Sequence, residues 1–181
     1  MKNNAKNQQF ESTIQSVINQ EYLNYKIIVI DDASKDHTVE NIRLFLKEKK
    51  ISSDRYLIIT NDKKKPLSLN LYNGITEHCD EDDVVALMKG GDELLGNHVF
   101  SLLNAAYRIS NTPIVYTNCL YGNIESNKLF KGNAETYIKE QKGVNYLTAK
   151  HNISPLRTFK ASLFLKLKPD DLKEGQKWSQ S

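Results

Sequence analysis

Apolar residues recur along this chain with two alternating rhythms. In FESTIQSVIN, residues 10–19, Phe10, Ile14, Val17 and Ile18 share one side of a 3.6-residue helix. KIIVI, residues 26–30, is instead a short β-branched run of the kind found in strands covered on both faces. The two rhythms then repeat. Ser34 or Asp36 can cap a helix with Val39, Ile42, Phe45 and Leu46 inward. YLIIT, 56–60, predicts a second buried strand. Pro66 suits the first turn of a helix running to about Glu77, with Leu67, Leu71 and Ile75 inward. VVALM, 84–88, predicts a third buried strand. A helix from Asn97 carries Val99, Leu102, Leu103 and Ala106, and PIVYT, 113–117, gives a fourth strand. From Thr117 to Gly143 the YGN and KGN turn signals predict irregular surface or a pair of edge strands. The final stretch from Ser154 predicts a helix of about ten residues followed by a polar tail.

Strands alternating with amphipathic helices predict an α/β fold on a mostly parallel sheet flanked by helices. In such sheets ligands bind beyond the carboxyl ends of the strands. Asp31 and Asp32 stand at one such end, Asn61 at the next, and the KGGD segment, Lys89, Gly90, Gly91 and Asp92, at a third. A plainer role for Asp32 is to cap the helix that follows it.

Composition narrows the classes without choosing a chemistry. At 181 residues, 39% hydrophobic and 26% charged, the chain reads as one soluble globular domain over residues 1–181. No apolar run reaches the roughly 18 residues that cross a bilayer, and the polar opening MKNNAKNQQF lacks a signal-peptide centre, so a cytoplasmic location is expected. The net charge of +3 is mild. Its basic clusters KEKK and DKKK read as solvated helix ends and loops, and nucleic acid is not expected as a partner. Cys79 and Cys119 have no neighbouring ligand residues and are expected to be reduced and without function.

The succession ESTIQSVINQEYLNYKIIVIDDASKDHT, followed by VVALMKGGDELL, resembles the family 2 glycosyltransferases, which have the GT-A fold. The similarity covers roughly residues 8–119, the nucleotide-sugar-binding half, and SPLRTFKASLFLKLKPDDLK, 154–173, resembles one subgroup's acceptor-side segment within 120–181. The resemblance implies transfer of a sugar from a nucleotide-sugar, usually a UDP-sugar, to a hydroxyl on a glycan, lipid or protein. By resemblance Asp31 and Asp32 match the acidic pair that holds the base and ribose. A carboxylate suits that work because it accepts charge-assisted hydrogen bonds from ring N–H and hydroxyl groups. Asp92 matches the last acid of the Asp-x-Asp type motif that binds a divalent cation, magnesium or manganese. The same similarity puts Arg157, in LRTF, near the cleft, with a surface salt bridge as the equal alternative.

Three features depart from the family pattern. Lys89 and Gly91 stand where acids normally stand, which leaves Asp92 and Glu93 and puts the cation in question. Either the Lys89 ammonium replaces part of the metal's charge and makes donor binding metal-independent, or the site has decayed. The opening KNNAKNQQ replaces the family's apolar first strand, and the chain stops soon after the segment that precedes the family's general base, so the sequence reads as shortened at both ends. No catalytic base is named. An inactive relative that binds a nucleotide-sugar or a partner is therefore the alternative to an enzyme. A receiver-like phosphoacceptor module, suggested by Asp31, Asp32, Asp62 and Lys89, is a third class.

Overall fold

The computed structural model describes residues 9–110, 112–123, 128–132, 156–174 and 177–178. Helix α1, Gln9–Ile18, leads through a loop to strand β1, Ile27–Asp31. Next come α2, Thr38–Glu48; β2, Tyr56–Thr60; α3, Leu67–His78; and β3, Val84–Leu87. Helix α4, Val99–Ser110, precedes β4, Ile114–Tyr116; β5, Cys119–Asn123; and β6, Lys128–Gly132. Strand β7, Arg157–Lys160, runs directly into the one-turn helix α5, Ala161–Phe164. A 3-10 turn, Pro169–Leu172, leads to β8, Lys173–Glu174, which pairs with β9, Lys177–Trp178. Among the described residues no helix is long and apolar enough to cross a membrane.

The architecture is α/β, with parallel pairing among the described residues between β1 and β2, where Ile27 faces Tyr56 and Asp31 faces Thr60. A second sheet has the order β3-β7-β4, with β7 antiparallel to both neighbours. The expected ten-residue helix near the C-terminus is therefore replaced by a strand and a single helical turn. Thr158 and Phe159 favour extended backbone, and the buried Thr158 hydroxyl bonds Tyr107 Oη at 2.8 Å and the Val115 carbonyl at 2.6 Å. The Tyr107 hydroxyl in turn accepts from the Val115 amide. The antiparallel pair β5–β6 fulfils the edge-strand expectation for part of 117–143. Residues 133–143, and the opening segment expected to lack a strand, lie outside the described residues.

Two apolar clusters organise the packing. In the first, Phe10 and Ile14 of α1 meet Val29, Ile42 and Leu46, with Ile18, Ile58 and Phe45 around them. In the second, Leu94, Leu103 and Leu156 are packed by Val17, Met88, Val99 and Val115. Helix α1 thus serves both, Val17 facing the second cluster rather than the first. Ile51, whose amide reaches back to the Leu46 carbonyl, closes α2, with Lys50 in the left-handed region at φ 54°.

Three burial expectations are corrected. Leu102 is 69% exposed, because α4 turns Val99, Leu103 and Tyr107 inward at spacings of four. Leu67 is exposed and α3 buries Ser68, Asn70, Gly74 and Ile75 instead. Strand β3 is open at Val84, which is 41% exposed, so it is not covered on both faces.

Candidate functional site

The carboxyl ends of β1 and β2 are tied together by polar side chains. Successive strand residues point to opposite faces, so the two aspartates part company. Asp31, 2% exposed, turns back on its own loop: its Oδ2 accepts the Ser34 amide at 3.0 Å and its Oδ1 accepts the Ser34 hydroxyl. This closes the turn at Ala33, whose φ is 59°. Asp32 reaches across the sheet edge. Its Oδ1 accepts the Asn61 Nδ2 at 3.1 Å, the Asn70 Nδ2 at 3.1 Å and the Lys65 amide at 2.8 Å. Asn61 also donates to the Asn70 Oδ1 at 2.7 Å.

Capping of α2 by Asp32 is therefore not what the structure holds. The first-turn Thr38 amide bonds Asp36 at 3.2 Å, and Asp32 ties β1, β2 and the start of α3 together. Burial alone would raise the Asp32 carboxyl. The Lys65 amide, the Asn70 and Asn61 amides and the nearby Lys64 charge outweigh it, holding the group below the ordinary carboxylate value. With three donors on Oδ1, no described residue donates to Oδ2, and Asp32 is only half-buried. Of the acidic pair it is Asp32 that keeps an oxygen without a donor among the described residues. Asn61 is buried and both of its amide hydrogens are engaged.

The KGGD segment forms a tight turn after β3. The Asp92 amide bonds the Lys89 carbonyl at 3.1 Å, and the Asp92 Oδ2 accepts the Lys89 amide at 3.2 Å. Gly91 has φ +102°, a conformation side chains rarely adopt, so the glycine at this position is a backbone requirement. The turn packs against the start of α1: the Gly91 amide donates to the Thr13 hydroxyl at 2.8 Å, and the Gln9 side chain lies alongside.

The loop leaving α1 is pinned by Arg55, whose guanidinium lies over the Tyr25 ring and donates to the Leu23 carbonyl. Arg55 immediately precedes β2, so the C-terminus of α1 lies at the amino ends of β1 and β2. Lys89, Gly90, Gly91 and Asp92 are held against the first turn of α1. Arg157 pairs with Leu87, the last residue of β3, and it is exposed.

Among the described residues no three His, Cys, Asp or Glu side chains converge, and the one carboxylate aligned with the family's motif, Asp92, spends an oxygen on the Lys89 amide. Cys79 and Cys119 are free. Burial first, then Asp83 and Asp80, push the Cys79 thiol up, which keeps it protonated and a poor nucleophile. A shallow hollow lined by Asn104, Ala105, Arg108 and Ile109 lies on α4 and contains none of the edge residues. Asp31, one member of the phosphoacceptor arrangement, is committed to Ser34.

Two groups of this site escape a reading by apolar period. Asn70 lies on the face of α3 buried against the sheet, and Thr13 sits among the apolar positions of α1. A polar residue at a core-facing helical position was the available signal for both. Compared with known families, residues 2–167 match the model of Glycosyl transferase family 2. No curated protein matches the chain.

Proposed function

The chain belongs to glycosyl transferase family 2, whose members have the GT-A fold, and we propose that it binds a UDP-sugar across the carboxyl edge of its sheets. What supports this reading is Asp32 at the carboxyl end of β1, half-buried and with an oxygen to which no described residue donates, together with the Lys89–Asp92 turn that follows β3. A uracil ring N–H or ribose hydroxyl would donate to Asp32 Oδ2, a charge-assisted bond of the stronger kind. Asp31 would set the backbone turn that shapes the neighbouring wall. The Lys89 ammonium and Arg157 would face the diphosphate, supplying positive charge where the family's metal motif has an acid. Full turnover would form a bond between an acceptor hydroxyl oxygen and the anomeric carbon as the bond from that carbon to the diphosphate oxygen breaks. The nucleoside diphosphate then leaves and the hydroxyl proton passes to a base. A cytoplasmic setting belongs to the same proposal, resting on the lack of a long apolar run.

Calorimetric titration of the full chain with UDP-glucose and UDP-N-acetylglucosamine tests the reading, with and without excess chelator. The expected result is binding that survives chelation and weakens at least about tenfold in Lys89→Gln, the size of one lost charge-assisted contact. No binding of either donor would refute donor recognition, and loss on chelation would refute the role of Lys89. A second reading, binding without turnover, is favoured by the incomplete carboxylate set at the turn. Donor hydrolysis and transfer measured beside binding separate the two.

A further inference from the structure

The stretch ESTIQSVINQ carries three polar residues, Thr13, Ser16 and Gln20, that are 6%, 8% and 5% exposed. Their spacing of three and four places them on one stripe of α1 and its C-terminal extension. Each one bonds backward into the helix. The Thr13 hydroxyl reaches the Gln9 carbonyl at 3.2 Å, the Ser16 hydroxyl reaches the Thr13 carbonyl at 2.8 Å, and Gln20 Nε2 reaches the Ser16 carbonyl at 3.0 Å. Those bonds consume the hydroxyl protons and leave oxygen lone pairs directed away from the helix. The loop after β3 uses them. The Gly91 amide donates to Thr13 at 2.8 Å and the Leu94 amide to Ser16 at 3.0 Å. Gln20 Nε2 donates to the Gly96 carbonyl at 2.7 Å, while its Oε1 accepts the Phe100 amide at 3.2 Å.

We propose that Thr13, Ser16 and Gln20 form a polar latch that fixes the loop from Lys89 to Phe100, making Thr13 and Ser16 positioning residues for the diphosphate-facing turn. The role in ligand binding rests on the donor reading above; the hold on the loop does not. An apolar stripe would leave the Gly91 and Leu94 amides without these partners. The turn, with Gly91 at positive φ and Asp92 folded over Lys89, would then have no fixed orientation relative to Asp32. The latch therefore sets the distance between the end of the site that reads the nucleoside and the end that meets the phosphates.

The test compares Thr13→Val, which keeps the shape and removes the hydroxyl, with Thr13→Ser, which keeps the hydroxyl. Two quantities are read in the full chain: affinity for UDP against affinity for uridine, and amide hydrogen exchange at Gly91. The valine variant should lose about tenfold in UDP affinity with uridine binding unchanged, and should speed exchange at Gly91 by a similar factor. The serine variant should match the unaltered chain in both. Equal losses for UDP and uridine would mark general destabilisation and overturn the positioning role. Unchanged exchange at Gly91 in Thr13→Val would overturn the latch. Should the unaltered chain bind neither nucleotide, the donor reading fails and the exchange comparison alone decides the latch.

Discussion

At the scale of single residues, the acidic pair shows how much of a site a strand end discloses and how much it withholds. Two carboxylates after a buried aliphatic run mark the carboxyl edge of a parallel pair, and Asp31 and Asp32 stand there. Their division of labour depends on donors far away in sequence, because Asn70 lies on α3 and the Lys65 amide beyond β2. Apolar spacing pointed to Leu67, Leu71 and Ile75 as the inward face of that helix and passed over Asn70; the donors required by a partly buried carboxylate decided otherwise. The lowered Asp32 carboxyl has a consequence for stability. Its folded value lies below its unfolded one, so its contribution is fully present above the ordinary carboxylate range and is lost as pH falls through the lowered value. Denaturant unfolding of the protein and of Asp32→Asn should show a stability difference that is constant near neutrality and shrinks as pH falls below the ordinary value. A difference independent of pH would contradict the shift. Gly91 allows a second prediction. Gly91→Asp would return an acid to the family's motif, but at φ +102° it should cost about 1–3 kcal/mol in urea unfolding and bring no magnesium-dependent gain in UDP binding.

Individual elements were legible where one period dominated and misread where two fitted. On α4 the apolar sets Val99–Leu103–Tyr107 and Leu102–Ala106–Ile109 each satisfy a helical stripe, and only packing against Leu94 and Leu156 selects the first. Leu103→Ala should therefore destabilise by about 2–4 kcal/mol, whereas Leu102→Ala should stay within about 0.5 kcal/mol, both read by thermal and urea unfolding. Similar losses at the two positions would mean that α4 is rotated from the orientation described. The segment LRTFKASLFLKLK presents the same ambiguity between periods of two and four. It becomes β7 because β3 and β4 each supply a pairing edge and Tyr107 supplies a partner for the Thr158 hydroxyl. None of these three partners is adjacent in sequence, so no local pattern could have announced the strand.

For the molecule as a whole, α1 is the element on which both clusters depend. Phe10, Ile14 and Ile18 face the β1–β2 cluster, with Phe10 edge-on to Phe45, while Thr13, Ser16, Val17 and Gln20 face the loop and cluster beside β3 and α4. A helix shared in this way couples two packing units that have no strand pairing between them among the described residues. The coupling predicts the response to a substitution confined to one side. Phe10 is fully buried and belongs to the first cluster, and Phe10→Ala should cost about 3–5 kcal/mol through lost burial and the cavity left behind. If α1 carries the effect across, amide exchange should accelerate by comparable factors at Ile58 in β2 and at Thr158 in β7, because both would open through one cooperative unit. Faster exchange at Ile58 with Thr158 unchanged would divide the protein into two independently stable halves. The turn bearing Lys89 and Asp92 would then keep its own shape while its placement relative to Asp32 was lost, so that UDP affinity would fall while the sheet around β7 stayed intact.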